Sequence, residues 1–312
     1  MIIPFGPVLF MLEGSIVSRD TLKSFVLLTL LVYVLPVQAI EKPLSLWLLE
    51  SGESKIYLLG SIHAMKPDMY PLAAPIEAAF RESHKIVFEV DLTRLNETTM
   101  SQVMKQYGFY TPPASIESDL SVETLSLLKN YLRDNNLKLA NVRQMKPWFL
   151  MLTIGQKELS KYGFEPRYGI DHIMQQRALE KGKEILQLES FGTQIELLSG
   201  DPIEVQELSL KVSLEEMPSL KGHLDELISA WEIGDADEML RLAMAGSDEH
   251  PQLNEQMYNL IVKRNMQMTD KIRGYVAASG TYFVVVGALH MGGENGIVQL
   301  LSKEFSVTQL RH

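Results

Sequence analysis

Two histidines occupy matching settings near opposite ends of the chain. His63 closes the run Ile56-Tyr57-Leu58-Leu59-Gly60-Ser61-Ile62-His63, and His290 closes Tyr282-Phe283-Val284-Val285-Val286-Gly287-Ala288-Leu289-His290. Each reads as a buried strand, a glycine, two small or apolar residues and a histidine. The glycine permits a tight turn or a close backbone approach. Strands that end alike can lie side by side in one sheet and bring both imidazoles to one edge, where α/β folds place their chemistry. An imidazole there can ligate a metal or act as a general base. One such histidine alone reads as structural or capping; the matched pair reads as a site.

Glu89 interrupts the apolar strand Ile86-Val87-Phe88-Glu89-Val90. A bare charge is costly to bury, so this carboxylate is expected to be metal-bound, at a strand end, or paired with an arginine. Alternation puts Val87, Glu89 and Asp91 on one face. Glu189 repeats the pattern after Ile185-Leu186-Gln187-Leu188, with capping of the next helix as the alternative. Arg264 and Asn265 precede the second histidine strand. The arginine can clamp a substrate carboxylate or orient Glu89, or it lies on a solvated helix face. His84, His172, His223, His250 and His312 lack comparable settings and read as surface or structural. The turn Gly292-Gly293-Glu294-Asn295-Gly296 offers amides to an anion, or is only a turn. There is no HExxH, G-x-S-x-G or P-loop.

The elements that must position these residues follow from apolar periodicity. Strands are expected at Leu46–Leu49, Lys55–Leu59, His84–Asp91, Glu184–Glu189, up to Gly287, and Ser306–Leu310. Helices are expected over 74–83, from Ser121, from Pro147 to Leu159, after Gly169-Ile170-Asp171 with Asp171 as N-cap, over 193–245, over 252–279 and over 294–305. The fold class is α/β: a mixed, mainly parallel sheet from two β-α-β-like units flanking a large helical insertion. Residues 40–312 are expected to form one domain with a helical cap over about 95–280.

Of 312 residues, 46% are apolar and 22% charged, ordinary for a globular protein. Acidic residues (39) exceed basic ones (29) and no basic stripe forms, which disfavours nucleic acid as a partner. With no cysteine, thiolate ligands, cysteine nucleophiles and iron–sulfur clusters are excluded. Arg19 and Lys23 precede an apolar run from Phe25 to Leu35, then Pro36-Val37-Gln38-Ala39. That is the pattern of a signal peptide over 1–39, cleaved after Ala39, and it predicts a periplasmic or secreted protein. The competing reading is an uncleaved anchor, the sole route to membrane association; the run is shorter than the ~20 residues a span requires.

Gly60-Ser61-Ile62-His63, Phe88-Glu89-Val90-Asp91, Gly169-Ile170-Asp171, Leu188-Glu189-Ser190 with Gln194, Arg264-Asn265 and Gly287-Ala288-Leu289-His290 together resemble the TraB/PrgY/GumN family. That family includes the TIKI metalloproteases and is distantly similar to erythromycin-esterase-like and ChaN-like proteins. The resemblance spans roughly residues 45–310. It implies an α/β sheet with both GxxH motifs at one site and, for TIKI-like members, peptidase activity dependent on a divalent metal such as manganese or cobalt. His63 and His290 match the GxxH histidines, Glu89 the acidic strand residue, and Arg264 and Asn265 the pair before the last strand.

Two histidines and a carboxylate make a sensible ligand set for a hydrolytic metal, with His63, Glu89 and His290 as ligands. The set suits Mn, Co, Zn or Fe without choosing among them. Glu189 is then a candidate base. The leading expectation is an exported metal-dependent hydrolase acting on a peptide or protein. The alternative class is a non-catalytic periplasmic peptide-binding or regulatory module. A third reading keeps hydrolysis and drops the metal, with His63 as base.

Overall fold

The computed structural model describes residues 41–245 and 250–312; the leader expected over 1–39 lies outside them. Among the described residues there are six strands: β1 (Pro43–Ser51), β2 (Ser54–Ser61), β3 (Lys85–Phe88), β4 (Glu184–Gln187), β5 (Gly280–Gly287) and β6 (Ser306–Arg311). They form one sheet in the order β4-β3-β5-β2-β1-β6. β5 is central and runs parallel to β2 on one side and to β3 on the other. β4 extends the parallel part from β3, while β1 is antiparallel to both β2 and β6. The sheet is therefore mixed and mainly parallel.

β5 is apolar along Tyr282–Val286 because helices cover both its faces, and each of those residues is at most 1% exposed. Alternate residues divide between two cores. Tyr57, Leu59, Ile86, Phe88, Phe283 and Val285 pack with Phe80, Met174 and Trp231. Ile56, Leu58, Val87, Tyr282, Val284 and Val286 pack with Met268, Ile272, Ile297 and Leu301. The helical middle of the chain has a core of its own, built on Ile116, Leu128, Leu132, Leu150, Ile154 and Leu210.

Both β-α-β-like units are present. The helix Ala74–Glu82 links β2 to β3, and the helix Ile297–Ser302 links β5 to β6. In neither unit are the linked strands neighbours. β5 lies between β2 and β3, so the C-terminal segment completes the centre of the sheet. The register pairs Gly60 with Val286 and Ser61 with Gly287, so the two glycine–histidine segments leave the sheet at the same level.

Some boundaries differ from expectation. β3 ends at Phe88, not Asp91, because Asp91 turns aside to cap the short helix Leu92–Arg94, accepting from the Thr93 amide. Asp171 is not an N-cap. That place belongs to Gly169, and Asp171 lies in the first turn of the helix Ile170–Glu180. A π-helical segment, Tyr258–Lys263, runs directly into the helix Arg264–Ala277.

Candidate functional site

β2, β3, β4 and β5 point the same way, so their C-terminal ends share one edge. Each supplies one chemically active side chain just past its end: His63 after β2, Glu89 after β3, Glu189 after β4 and His290 after β5. Main-chain pairing continues beyond β3 and β4, with the Glu189 amide donating to the Glu89 carbonyl at 2.9 Å. That bond sets the two glutamates side by side.

Gly287 is the floor on which these groups converge. A Cβ built there would lie 3.2 Å from Glu89 Oε1, 3.2 Å from His63 Nε2 and 3.5 Å from His290 Cδ2. Its own amide donates to Glu89 Oε1 at 2.7 Å. Neither Gly60 nor Gly287 has a positive φ. Both glycines of the repeated signature therefore serve close approach rather than a tight turn; at Gly60 a Cβ would meet Ser45 Oγ at 2.4 Å.

The two histidines sit in unlike surroundings. The His63 side chain is 68% exposed to the cleft, and that of His290 is 5% exposed. His63 Nδ1 donates to Asp171 Oδ2 at 2.7 Å, and Ser61 Oγ donates to Asp171 Oδ1 at 2.7 Å. The attraction of Asp171, working against desolvation and helped by this hydrogen bond, raises the His63 pKa to about 9. The His63 loop is tied to the start of the Asp171 helix by the Ile170 amide, which donates to the Ile62 carbonyl at 3.0 Å. Gly169 makes this possible, since a Cβ there would lie 2.2 Å from the His63 carbonyl oxygen.

His290 is held from both sides. Asn265 Nδ2 donates to the Asn295 carbonyl at 2.8 Å, which turns Asn265 Oδ1 toward His290 Nδ1 at 2.7 Å. Nδ1 must therefore carry the proton, leaving Nε2 to accept from Arg264 Nη1 at 3.1 Å. Burial pushes the His290 pKa down to about 4, so the ring is neutral.

Arg264 binds both glutamates. Its Nη2 donates to Glu89 Oε2 at 2.6 Å and to Glu189 Oε1, and its Nε donates to Glu189 Oε2 at 3.2 Å. Gln194 Nε2 bridges the same carboxylates at 3.1 and 2.7 Å. Burial pushes Glu89 up, but His290, His63, Arg264 and the Gly287 amide outweigh it and hold the carboxyl at about 2. The arginine-paired alternative for Glu89 is thus realised, and Arg264 does not lie on a solvated face. Arg264 Nη1 also donates to the Leu260 carbonyl at 3.1 Å, inside the π-helical segment. Such segments often occur where a helix is re-aimed at a site.

Glu189 does not cap the helix Phe191–Ser199; Ser190 does, accepting from the Thr193 amide at 3.0 Å. The glycine-rich turn does hold an anion, but the protein's own: the Gly293 amide donates to Asp237 Oδ1 at 2.7 Å.

Two imidazoles and a carboxylate are donor types that a divalent transition metal accepts. Each histidine has Nδ1 held by an oxygen acceptor, the arrangement that orients a metal-binding imidazole through Nε2, and Glu89 Oε1 lies 4.0 Å from His290 Nε2. The arrangement is open rather than a closed cage. Among the described residues, no three His, Asp or Glu side chains are grouped closely enough to hold an ion. Arg264 stands on His290 Nε2.

His63, Glu89, His290, Glu189, Arg264 and Asn265, expected from sequence, all meet in this cluster. Three further members were not assigned a site role: Asp171, Ser61 and Gln194. An acidic residue in a helix's first turn reads as dipole or cap chemistry, and nothing local reveals that its partner is a histidine at the end of β2. The Gly169-Ile170-Asp171 and Glu189–Gln194 segments, which help to carry the family resemblance, were the available signals.

A model of the TraB/PrgY/gumN family matches residues 45–309, and the chain belongs to that family. The curated relatives include the "Uncharacterized protein YbaP" of Escherichia coli (strain K12), 24% identical over 253 residues, covering 80% of this chain and 89% of the relative. The protein of the same description from Shigella flexneri matches with the same identity and coverage. No solved structure matches the chain.

Proposed function

We propose that this member of the TraB/PrgY/gumN family is an exported metal-dependent hydrolase acting on peptide bonds. One observation carries the reading: His63 Nε2, Glu89 Oε1 and His290 converge over Gly287, and both imidazoles have their Nδ1 atoms anchored. His63, Glu89 and His290 are the residues that would hold the metal. A bound metal would lower the pKa of its water and polarise the scissile carbonyl.

The remaining residues define the setting for that chemistry. Asp171 fixes the rotation of the His63 ring and presents Nε2 to the cleft. Arg264 offsets the charge of Glu89 and Glu189, which would otherwise repel each other side by side. Asn265 fixes the tautomer of His290. Glu189 serves as the base only if Arg264 releases it.

The test is metal analysis of purified wild-type, His63→Ala and His290→Ala proteins, with cleavage of a diverse peptide mixture in Mn²⁺ or Co²⁺. About one ion per wild-type chain, lost in both variants, is expected. Undiminished metal in both variants sinks the ligand assignment. Peptide retained with no new termini under every metal favours the alternative, a non-catalytic peptide-binding or regulatory module. N-terminal sequencing of the fractionated protein tests export; an intact leader on a cytoplasmic product overturns it.

A metal-free reading is favoured by the guanidinium on His290 Nε2 and by the Asp171–His63 pair, whose free Nε2 faces the cleft. Here His63, oriented by Asp171, is the general base once it has lost the proton it holds up to about pH 9, so activity by this route should rise toward alkaline pH. Activity that survives complete metal removal supports this reading over the first.

A further inference from the structure

Beside the strand-end cluster lies a cavity of about 550 Å³ with His63 and Ala64 at one margin. Its walls come from the helices Pro147–Lys161 and Ile203–Glu216 and from the start of Leu220–Glu232. Met151, Leu152, Leu159 and Met217 line it, and no lysine or arginine does. A cavity of this size suits a small ligand or a peptide side chain with its adjoining backbone. With no lysine or arginine there, and with Glu216 opposing the positive charge that His63 brings to the margin, the lining does not select an anionic occupant. Two methionines give an adaptable apolar wall.

Gly155 supplies an independent observation. It lies in the middle of a 15-residue helix, where glycine weakens the helix relative to alanine. Its φ is not positive, and a Cβ added there would meet nothing within 4 Å. Neither backbone conformation nor close packing explains the glycine. The space it leaves is part of the cavity wall. Leu152, one turn earlier on the same helix and also lining the cavity, keeps 42% of its surface exposed.

We propose that this cavity is a specificity subsite for a large apolar side chain of a peptide, next to the bond presented to His63. The placement beside the reacting bond rests on the hydrolase reading; the binding preference does not.

The experiment uses protein produced from the full chain and dansyl-labelled pentapeptides that differ at one central position, alanine or leucine. Affinity is measured first, without added metal, and cleavage separately. The wild type is expected to bind the leucine peptide about tenfold tighter than the alanine peptide. Gly155→Phe, which fills the cavity from its wall, is expected to bring that ratio to about one, while Gly155→Ala keeps it. Leu152→Glu, at an exposed position that folding tolerates, is expected to lower the ratio without weakening alanine-peptide binding. No leucine preference in the wild type overturns the proposal. So does a preference untouched by both Gly155→Phe and Leu152→Glu, or an equal loss for both peptides. A preserved preference with no cleavage of any peptide refutes the hydrolase reading and leaves the subsite standing. Cleavage indifferent to the leucine and to both variants refutes the subsite alone.

Discussion

Arg264→Met in metal-free protein is the most demanding perturbation of the strand-end cluster. The arginine side chain is 14% exposed, and those of Glu89 and Glu189 are 9% and 8% exposed. Methionine keeps much of the length and removes the guanidinium that binds both carboxylates. Removing one partner of a buried ion pair costs about 3–5 kcal/mol, because the remaining charge is left uncompensated. Protonation of one glutamate limits the loss, so about 4 kcal/mol is expected at pH 7.5. For a domain of this size that corresponds to a fall in melting temperature of roughly 8–15 °C. Urea denaturation gives the free energy directly. The deficit must also depend on pH. In the wild type the Glu89 carboxyl sits at about 2 against an ordinary 4.5, so its charged form adds stability above about pH 4.5 that is lost as the pH falls toward 2. The variant lacks part of that contribution, so the gap between the two proteins narrows on acidification. Adding Glu189→Gln to Arg264→Met should restore more than half of the loss. A deficit below about 1 kcal/mol at pH 7.5, or one that stays constant as the pH falls from 4.5 toward 2, would refute the buried-pair reasoning.

Asp171→Asn removes the charge that raises His63, so the His63 titration followed by NMR in metal-free protein should move from about 9 toward the ordinary histidine range; an unmoved titration denies the pairing. Unfolding returns His290 from about 4 to about 6.5, so its contribution to stability is full above pH 6.5 and drains as the pH falls to 4. The shift amounts to roughly 3 kcal/mol, and His290→Asn should flatten that part of the stability–pH curve. Gly169→Ala places a methyl 2.2 Å from the His63 carbonyl oxygen and should cost about 1–3 kcal/mol while displacing the His63 loop. A melt and peptide-binding assay matching wild type would contradict that contact. Gly155→Ala should instead raise stability by about 0.5–1 kcal/mol, read from the same urea curves.

Much of this site was legible because its residues break local rules. Glu89 is a charge in an apolar run, and a glycine followed by a histidine repeats after two strands; neither pattern serves a solvated surface. Asp171 and Gln194 break no such rule. An aspartate in the first turn of a helix is satisfied by the helix itself, so its bond to His63 leaves no local trace. The π-helical segment before Arg264 left no local trace either, while β3 ends early because Asp91 caps the short helix Leu92–Arg94.

The amino-acid sequence alone determined the class of the fold, since alternating apolar strands and amphipathic helices dictate a covered, mainly parallel sheet. It also pointed to the strand-end side chains that meet, His63, Glu89, Glu189 and His290, because strands with the same direction end on the same edge. Tertiary structure decided what those side chains are to one another. Inserting β5 between β2 and β3 set Gly287 beneath His63, Glu89 and His290. Burial then separated two histidines of identical motif, one open to the cleft with its pKa raised, the other enclosed with its pKa lowered. The physical reason is that charge state depends on desolvation and on neighbours distant in the chain, and neither is written in a local motif.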